Sequence, residues 1–423
     1  MSEFFDALET RDPAQREQAL LAALPQALAQ AAARAPAIAR QLGQLDPRAI
    51  TTRAALAMVP VIRKTQLLEI QQEARVRFAA DGSVIERVFG GFSSIGWGAS
   101  LRVFASPGPI YEPESARPDY WRFARALYAA GFRAGDLAHN CFSYHFSPAG
   151  SMMESAAHAV GCTVFPGGVG QTEQQVQAIR DLQPAGYMGT PSFLKIILEK
   201  ADELGLELVS LKRALVSGEA FPPSLRDWLG ARGIQGYQAY GSADLGMIAF
   251  ETSAREGLVL SEDLLLEIVR PGTNDVVPEG EVGEVVVTSL NPDYPLLRFG
   301  TGDLSAILPG ISPCGRTNTR IRGWLGRADQ TTKVRGLFVH PGQLADVARR
   351  HPVVARVRLV ISGTTGADVM LLKAEAGEAD QALIQSLTNT VRELTKLRAD
   401  VEIVPVGSLP NDGKVIDDVR TYT

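Results

Sequence analysis

Several short stretches of the chain set polar groups at spacings that could do chemistry. Phe299-Gly300-Thr301-Gly302-Asp303 places a carboxylate on a glycine turn after a strand, where it can accept a pair of neighbouring hydroxyls as charge-assisted hydrogen bonds. The plain alternative is a turn-forming or helix-capping aspartate. Lys414 ends the run Leu409-Pro410-Asn411-Asp412-Gly413-Lys414; an ammonium in such a loop can meet negative charge as it builds up, or can simply be solvated. Ser217-Gly218-Glu219-Ala220 closes a predicted strand at its carboxyl end, the place where open sheets bind ligands. Tyr240-Gly241-Ser242-Ala243-Asp244 carries a carboxylate whose oxygens could coordinate a hard cation. No Ser-His-Asp arrangement, H-E-x-x-H or G-x-x-x-x-G-K-[ST] accompanies them, so triad hydrolases, zinc proteases and P-loop ATPases lose their usual support.

These groups need elements to hold them. Residues 12–43 are rich in Ala, Leu and Gln at helical spacing, with Pro25 as an interruption, and predict one or two packed helices. From about residue 84 short β-rich runs alternate with amphipathic helices. The strands are 102–105, 137–142, 162–165, 186–188 and 213–216, and the helices 119–130, 151–160, 172–182, 192–204 and 224–230. Such alternation predicts a layered α/β domain with a parallel sheet. Between 258 and 308 strands such as 264–269 and 283–288 are separated by turn-forming Pro271-Gly272, Asn274-Asp275 and Glu279-Gly280, which predicts an antiparallel sheet or small barrel. After Gly326-Arg327-Ala328-Asp329 a strand-helix series follows (354–361, 369–374, 380–397, 401–404). It is long enough for a separate α+β domain, so the expected division is 1–327 and 328–423.

Composition narrows the partners. A chain of 423 residues, 45% of them hydrophobic, can bury one large core and a smaller satellite. A formal net charge of -5 provides no basic field for nucleic acid or anionic lipid. Cys141, Cys162 and Cys314 form no C-x-x-C pair, so neither a disulfide framework nor a cysteine zinc site is signalled and a reducing cytoplasm is expected. The acidic start Met1-Ser-Glu-Phe-Phe-Asp lacks a signal-peptide pattern, and no apolar run is long enough to span a bilayer.

The segment from Cys162 to Leu194, C-T-V-F-P-G-G-V-G-Q-T-E-Q-Q-V-Q-A-I-R-D-L-Q-P-A-G-Y-M-G-T-P-S-F-L, resembles the matching stretch of phenylacetate-CoA ligases, members of the adenylate-forming acyl/aryl-CoA synthetase superfamily. The resemblance continues in order through Ser217 to Ala220, Tyr240 to Asp244, Phe299 to Asp303, Gly326 to Asp329, Val334-Arg335-Gly336-Leu337-Phe338-Val339-His340-Pro341, and Leu409 to Lys414. It implies a large α/β N-terminal domain with parallel sheets and a small barrel-like part, and a small mobile α+β C-terminal domain. The reaction implied joins a carboxylic acid to ATP as an acyl-adenylate with release of pyrophosphate, Mg2+ assisting; the CoA thiol then displaces AMP. A homodimer is implied by analogy alone.

By the same resemblance Asp303 and Arg327 hold the ribose, Ser217, Gly218, Glu219 and Ala220 with Tyr240, Gly241 and Ser242 form the nucleotide site, and Asp244 holds Mg2+. The family usually has Glu at that last position, one methylene longer. Asp329 matches the hinge about which the small domain turns, and Lys414 the catalytic lysine of adenylation. Tyr144, His145, Phe146, Ala149 and Gly150, with Gly189-Thr190-Pro191, would line an acyl pocket, an aromatic and small mixture suited to a flat ring or short chain. Aromatics so spaced also occur in ordinary cores, and His145 is as readily a packing residue as a polar orienter.

The large departure is Ala105-Ser106-Pro107-Gly108-Pro109-Ile110-Tyr111-Glu112-Pro113, aligned with a phosphate loop that is typically A-S-S-G-T-T-G-K-P. A phosphate cradle uses free backbone N-H groups, small hydroxyls and a cation. Ser106 and Gly108 remain, but two prolines lack an N-H, Tyr111 replaces a glycine and Glu112 replaces the lysine. Three readings follow: an acyl- or aryl-CoA ligase using ATP through a remodelled loop; a non-catalytic module that binds nucleotide or acyl-CoA; and an adenylating enzyme with an acceptor other than CoA.

Overall fold

The computed structural model describes residues 3–78, 82–325, 327–328, 332–335, 337–339, 341–364, 367–377, 380–410 and 414–420. By its internal contacts the chain separates into two compact units, Met1–Leu325 and Gly326–Thr423.

The larger unit is built on a nine-stranded sheet. Its one half, Thr163–Phe165, Leu137–Asn140, Gly186–Gly189, Arg213–Val216 and Gln235–Ser242, is parallel. Its other half, Gly246–Phe250, Leu258–Leu260, Arg320–Ile321 and Ile307–Leu308, is antiparallel. The inner parallel strands Leu137–Asn140, Gly186–Gly189 and Arg213–Val216 are buried on both faces, as crossover helices require, whereas the edge strand Thr163–Phe165 is partly exposed. Side chains alternate across them: Met188 and Leu215 join one core with the helix Ala149–Val160, whereas Tyr187, Ala214 and Val216 join another with the helices Thr172–Leu182 and Pro191–Glu203. The helix Ala149–Val160 ends where Gly161 takes a left-handed conformation, the usual glycine stop.

Residues 258–308 meet the expectation of an antiparallel sheet and not that of a small barrel. Leu258–Leu260 stays in the large sheet, while Leu264–Val269, Gly283–Ser289, Phe299–Ser305 and the short strand Ile62–Arg63 make an open four-stranded sheet, with no closure among the described residues. The change of sheet occurs at Asp263, whose φ of 63° lies in the left-handed region that Asp tolerates.

The N-terminal helix corrects a second expectation. It runs unbroken from Pro13 to Arg34, straight through Pro25. An interior proline costs about 3 kcal/mol. Leu20, Leu24, Leu28 and Ala31 form a buried stripe one residue type to each turn, and burying each leucine contributes about 1.5–3 kcal/mol, which outweighs that cost. Underneath, Arg298 is fully buried against Glu267 at 2.8 Å and also donates to the carbonyls of Ala57, Val59 and Asn274, so its charge is both paired and solvated by the chain.

The smaller unit carries a four-stranded sheet in the order Asp400–Val404, Ala367–Glu375, Arg356–Thr364, Ile416–Asp418. Leu344 and Val347 from the helix Pro341–Arg350, and Leu387 and Val391 from the helix Gln381–Thr395, pack on Leu359, Ile361 and Leu372 to close its own core.

Candidate active site

The candidate residues of the larger unit gather at the carboxyl ends of the parallel strands, where open sheets bind ligands. Asn140, Gly189 and Val216 end three neighbouring strands, and Tyr240 lies late in the fourth. Ser217 extends the third strand by donating its N-H to the Gly189 carbonyl and its hydroxyl to the Ala239 carbonyl, and Gly218 turns the chain with a φ of 81°. The turn Tyr240 to Asp244 depends on close packing: a Cβ on Gly241 would meet the Gly246 carbonyl oxygen at 2.5 Å.

At one end of this crevice Asp303 is held by its neighbours. The Tyr240 hydroxyl donates to Oδ2 at 2.9 Å and the Trp324 indole N-H to Oδ1 at 3.1 Å. The Thr301 hydroxyl accepts from the Asp303 N-H at 3.1 Å and donates to the Val285 carbonyl at 3.0 Å, at the point where the strand Phe299–Ser305, expected as a glycine turn at Asp303, shifts register against Gly283–Ser289. The carboxylate is half-buried. Trp324 was not singled out by the sequence; its position shortly before Gly326-Arg327 is the only signal that marks it.

At the other end the stretch aligned with a phosphate loop is a tight hairpin. Arg102–Ser106 pairs with Ile110–Glu114 all the way to Ser106 opposite Ile110, leaving only Pro107, Gly108 and Pro109 in the turn. Glu112 points inward and is fully buried. Ser106 gives it both its donors, the hydroxyl to Oε1 at 2.5 Å and the backbone N-H to Oε2 at 3.3 Å. The hairpin is braced from the helix Lys64–Arg77: the Gln71 amide accepts from the Tyr111 N-H at 2.8 Å and donates to the Tyr111 carbonyl at 3.0 Å, and Arg75 lies over the Tyr111 ring.

Lys64 begins that helix, and its ammonium pairs with Asp244 Oδ2 at 2.7 Å. The sequence reading missed Lys64. It reaches the site because Ile62–Arg63 pairs in parallel with Phe299 and Gly300, and because Gln66 accepts from the Arg63 N-H and so fixes where the helix starts. Asp244 is buried, and its Oδ1 has no hydrogen-bond partner among the described residues. Burial pushes the Glu112 carboxyl well above the usual carboxylate range; the charge of Asp244 adds to the shift, while Lys64 and Ser106 oppose it. Burial, followed by the charges of Glu112 and Asp244, likewise pushes up the Tyr294 hydroxyl.

The donor set can be tested against Mg2+. An oxygen of Asp244 that is buried and unpartnered among the described residues suits a hard cation. No group of three or more His, Cys, Asp or Glu able to hold a metal occurs among the described residues. One carboxylate, with the remaining ligands from substrate phosphate and water, is a usual way for Mg2+ to be bound.

The residues expected to line an acyl pocket divide. Asn140 donates its side-chain amide to the Tyr144 hydroxyl at 2.7 Å and to the Gly150 carbonyl at 2.9 Å, tying both to the strand end. Gly150 is buried and Ala149 half-buried, whereas His145 and Phe146 are exposed. Phe146 takes a left-handed φ of 61°, and its carbonyl accepts from the Ala105 N-H at 2.8 Å, which links this loop to the hairpin.

Of the candidates at and beyond the expected boundary 327/328, Asp329 lies outside the described residues, as do Asn411, Asp412 and Gly413. Arg327 forms an isolated bridge, and Lys414 is exposed with its ammonium 3.4 Å from Asp417 Oδ1.

A family model described as AMP-binding enzyme matches residues 120–291, a segment that begins past the hairpin. The phenylacetate-coenzyme A ligase of Escherichia coli (strain K12) is 31% identical over 342 residues, covering 74% of this chain and 77% of that protein. The phenylacetate-coenzyme A ligase of Aromatoleum evansii is 29% identical over 394 residues, covering 85% and 89%. Among solved structures, that of 2-hydroxyisobutyryl-CoA ligase in complex with 2-HIB-AMP and CoA is similar with a TM-score of 0.82 and 25% identity, covering 100% of this chain and 93% of that one.

Proposed function

The chain belongs to the phenylacetate-CoA ligase family, and on that premise we propose that it is an AMP-forming acid-thiol ligase acting on an aryl or short acyl carboxylic acid. A carboxylate oxygen of the acid attacks the α-phosphorus of ATP, pyrophosphate leaves, and an acyl-adenylate forms. The CoA sulfur then attacks the acyl carbon, the bond to the phosphate oxygen breaks, and AMP leaves with the thioester as product.

The observation that carries this reading is Asp303, on a strand of the four-stranded sheet, with Tyr240 on one oxygen and Trp324 on the other. A carboxylate so oriented can accept both ribose hydroxyls without losing rotamer freedom on binding. Ser217 to Ala220 offer backbone to the adenine, and Tyr144, Ala149 and Gly150 border the space for the acid. When bound, Mg2+ would offset charge on the phosphates, with Asp244 as its protein ligand. Arg327, at the end of the adenylate-binding domain, 1–327, is assigned to the ribose, and Lys414 to the charge that builds during adenylation, on a mobile C-terminal domain, 328–423, that turns about Asp329.

No helix among the described residues is long and apolar enough to cross a membrane, and the proposal extends to a cytoplasmic enzyme and, by family analogy, a homodimer. A second reading, a non-catalytic homologue that binds nucleotide or acyl-CoA, draws on the Ser106 to Glu112 contact, which leaves the loop without an obvious phosphate cradle. Pyrophosphate release across a panel of aryl and short acyl acids, with and without CoA, separates the two. Release followed by CoA-dependent AMP formation is expected; AMP binding with no release from any acid would favour the second, and release without a CoA effect would point to another acceptor.

A further inference from the structure

We propose that Glu112 is an internal occupant of its own phosphate turn, filling the place of a triphosphate oxygen and so setting how strongly the crevice prefers a nucleotide monophosphate to ATP. The inference rests on the ligase reading only for its consequence in turnover; the contact itself belongs to this chain.

The two donors of Ser106 converge on one carboxyl group, one on each oxygen. Convergence of a backbone N-H and a hydroxyl is how a loop holds a phosphate, and here the acid at the end of the same hairpin takes both. The prolines on either side of Gly108 have no N-H to add, so within the three-residue turn Gly108 alone carries one. Nor can the turn readily widen. Strand pairing extends to Ser106 and Ile110, Gln71 grips both backbone groups of Tyr111, and a Cβ at Gly108 would lie 2.9 Å from Leu68.

The nearby cation is engaged as well, with Lys64 on Asp244 at 2.7 Å. A triphosphate entering here must displace Glu112 from Ser106 and leave a buried carboxyl without its donors, a cost that a monophosphate ending short of the turn does not meet. Glu112 is thus a specificity-determining residue that acts by occupying the site.

The test uses the full chain with Glu112→Ala and Glu112→Thr, both of which remove the carboxyl, titrated by calorimetry with ATP, inorganic tripolyphosphate and AMP. Tripolyphosphate should bind about 10-fold more tightly or better to the variants than to the unaltered protein, and the ratio of ATP to AMP affinity should rise by a similar factor. Weaker or unchanged tripolyphosphate binding in both variants would overturn the proposal, because Glu112 would then assist phosphate binding or merely support the hairpin. If Glu112→Ala melts at a much lower temperature, the strand-compatible Glu112→Thr carries the same criterion. Neither titration needs an acid substrate, so the ligase reading can fail, with no pyrophosphate released from any acid, while this inference stands; unchanged binding in an active enzyme would sink this inference alone.

Discussion

The two ends of the crevice solve opposite problems with the same kind of group. At the end proposed for the ribose a half-buried Asp303 is oriented by Tyr240 and Trp324, with the donors to it coming from side chains around a pocket edge that is not fully buried. At the hairpin end a fully buried Glu112 already takes the donors that a ligand would want, and Lys64 is matched to Asp244. A carboxylate is a binding group where donors come from the ligand, and an obstacle where they come from the protein. The hairpin adds little to triphosphate binding on this account, so a cation from elsewhere must meet the charge of adenylation.

That dependence gives the largest expected effect. Lys414→Ala should slow pyrophosphate release on the order of 10²- to 10³-fold, the usual cost of losing one preorganised charge-stabilising group, and should spare thioester formation from a preformed acyl-adenylate. Equal loss in both half-reactions would remove Lys414 from its assigned role. Asp303→Asn should weaken AMP and ATP alike by about 100-fold, since two charge-assisted bonds are affected; a loss confined to ATP would erase the distinction between the ends. Tyr240→Phe, which removes one donor to Asp303 and leaves Trp324 in place, should weaken AMP binding by about 3- to 10-fold in calorimetry.

The smallest effect concerns stability. Glu112 in the folded chain holds its proton to a pH above the ordinary carboxylate range, mainly through burial and then through Asp244. The unfolded chain releases that proton first. The stability is therefore complete below the ordinary range and is lost as pH rises through the raised value. Glu112→Gln should flatten this decline in thermal melts across that window, and a decline of equal slope would show that Glu112 is not its source.

Asp303 and Tyr240 could be singled out because their motifs are local in sequence, but the glycine turn expected at Asp303 is part of the strand Phe299–Ser305. Lys64 was not legible, because it stands 180 residues from Asp244 and meets it only through a parallel pairing of two residues with Phe299 and Gly300. The family resemblance implied that Glu112 stands where a lysine is usual, but not that it would turn inward; that depends on the register that sets Glu112 opposite Phe104, on the same face as Ser106. Pro25 misled because its helix is decided by a buried leucine stripe and not by propensity. Of the two forms expected over 258–308, the antiparallel sheet holds and the small barrel does not; Asp263, with a left-handed φ, stands between strands that lie in different sheets.

Calorimetric titration of the unaltered protein with AMP and with ATP, under identical salt and Mg2+, tests the contrast between the two ends most directly. The account predicts that AMP binds at least as tightly as ATP, because the ribose end is prepared and the hairpin is occupied. ATP binding about 10-fold or more tighter than AMP, worth about 1.4 kcal/mol from the added phosphates, would contradict it.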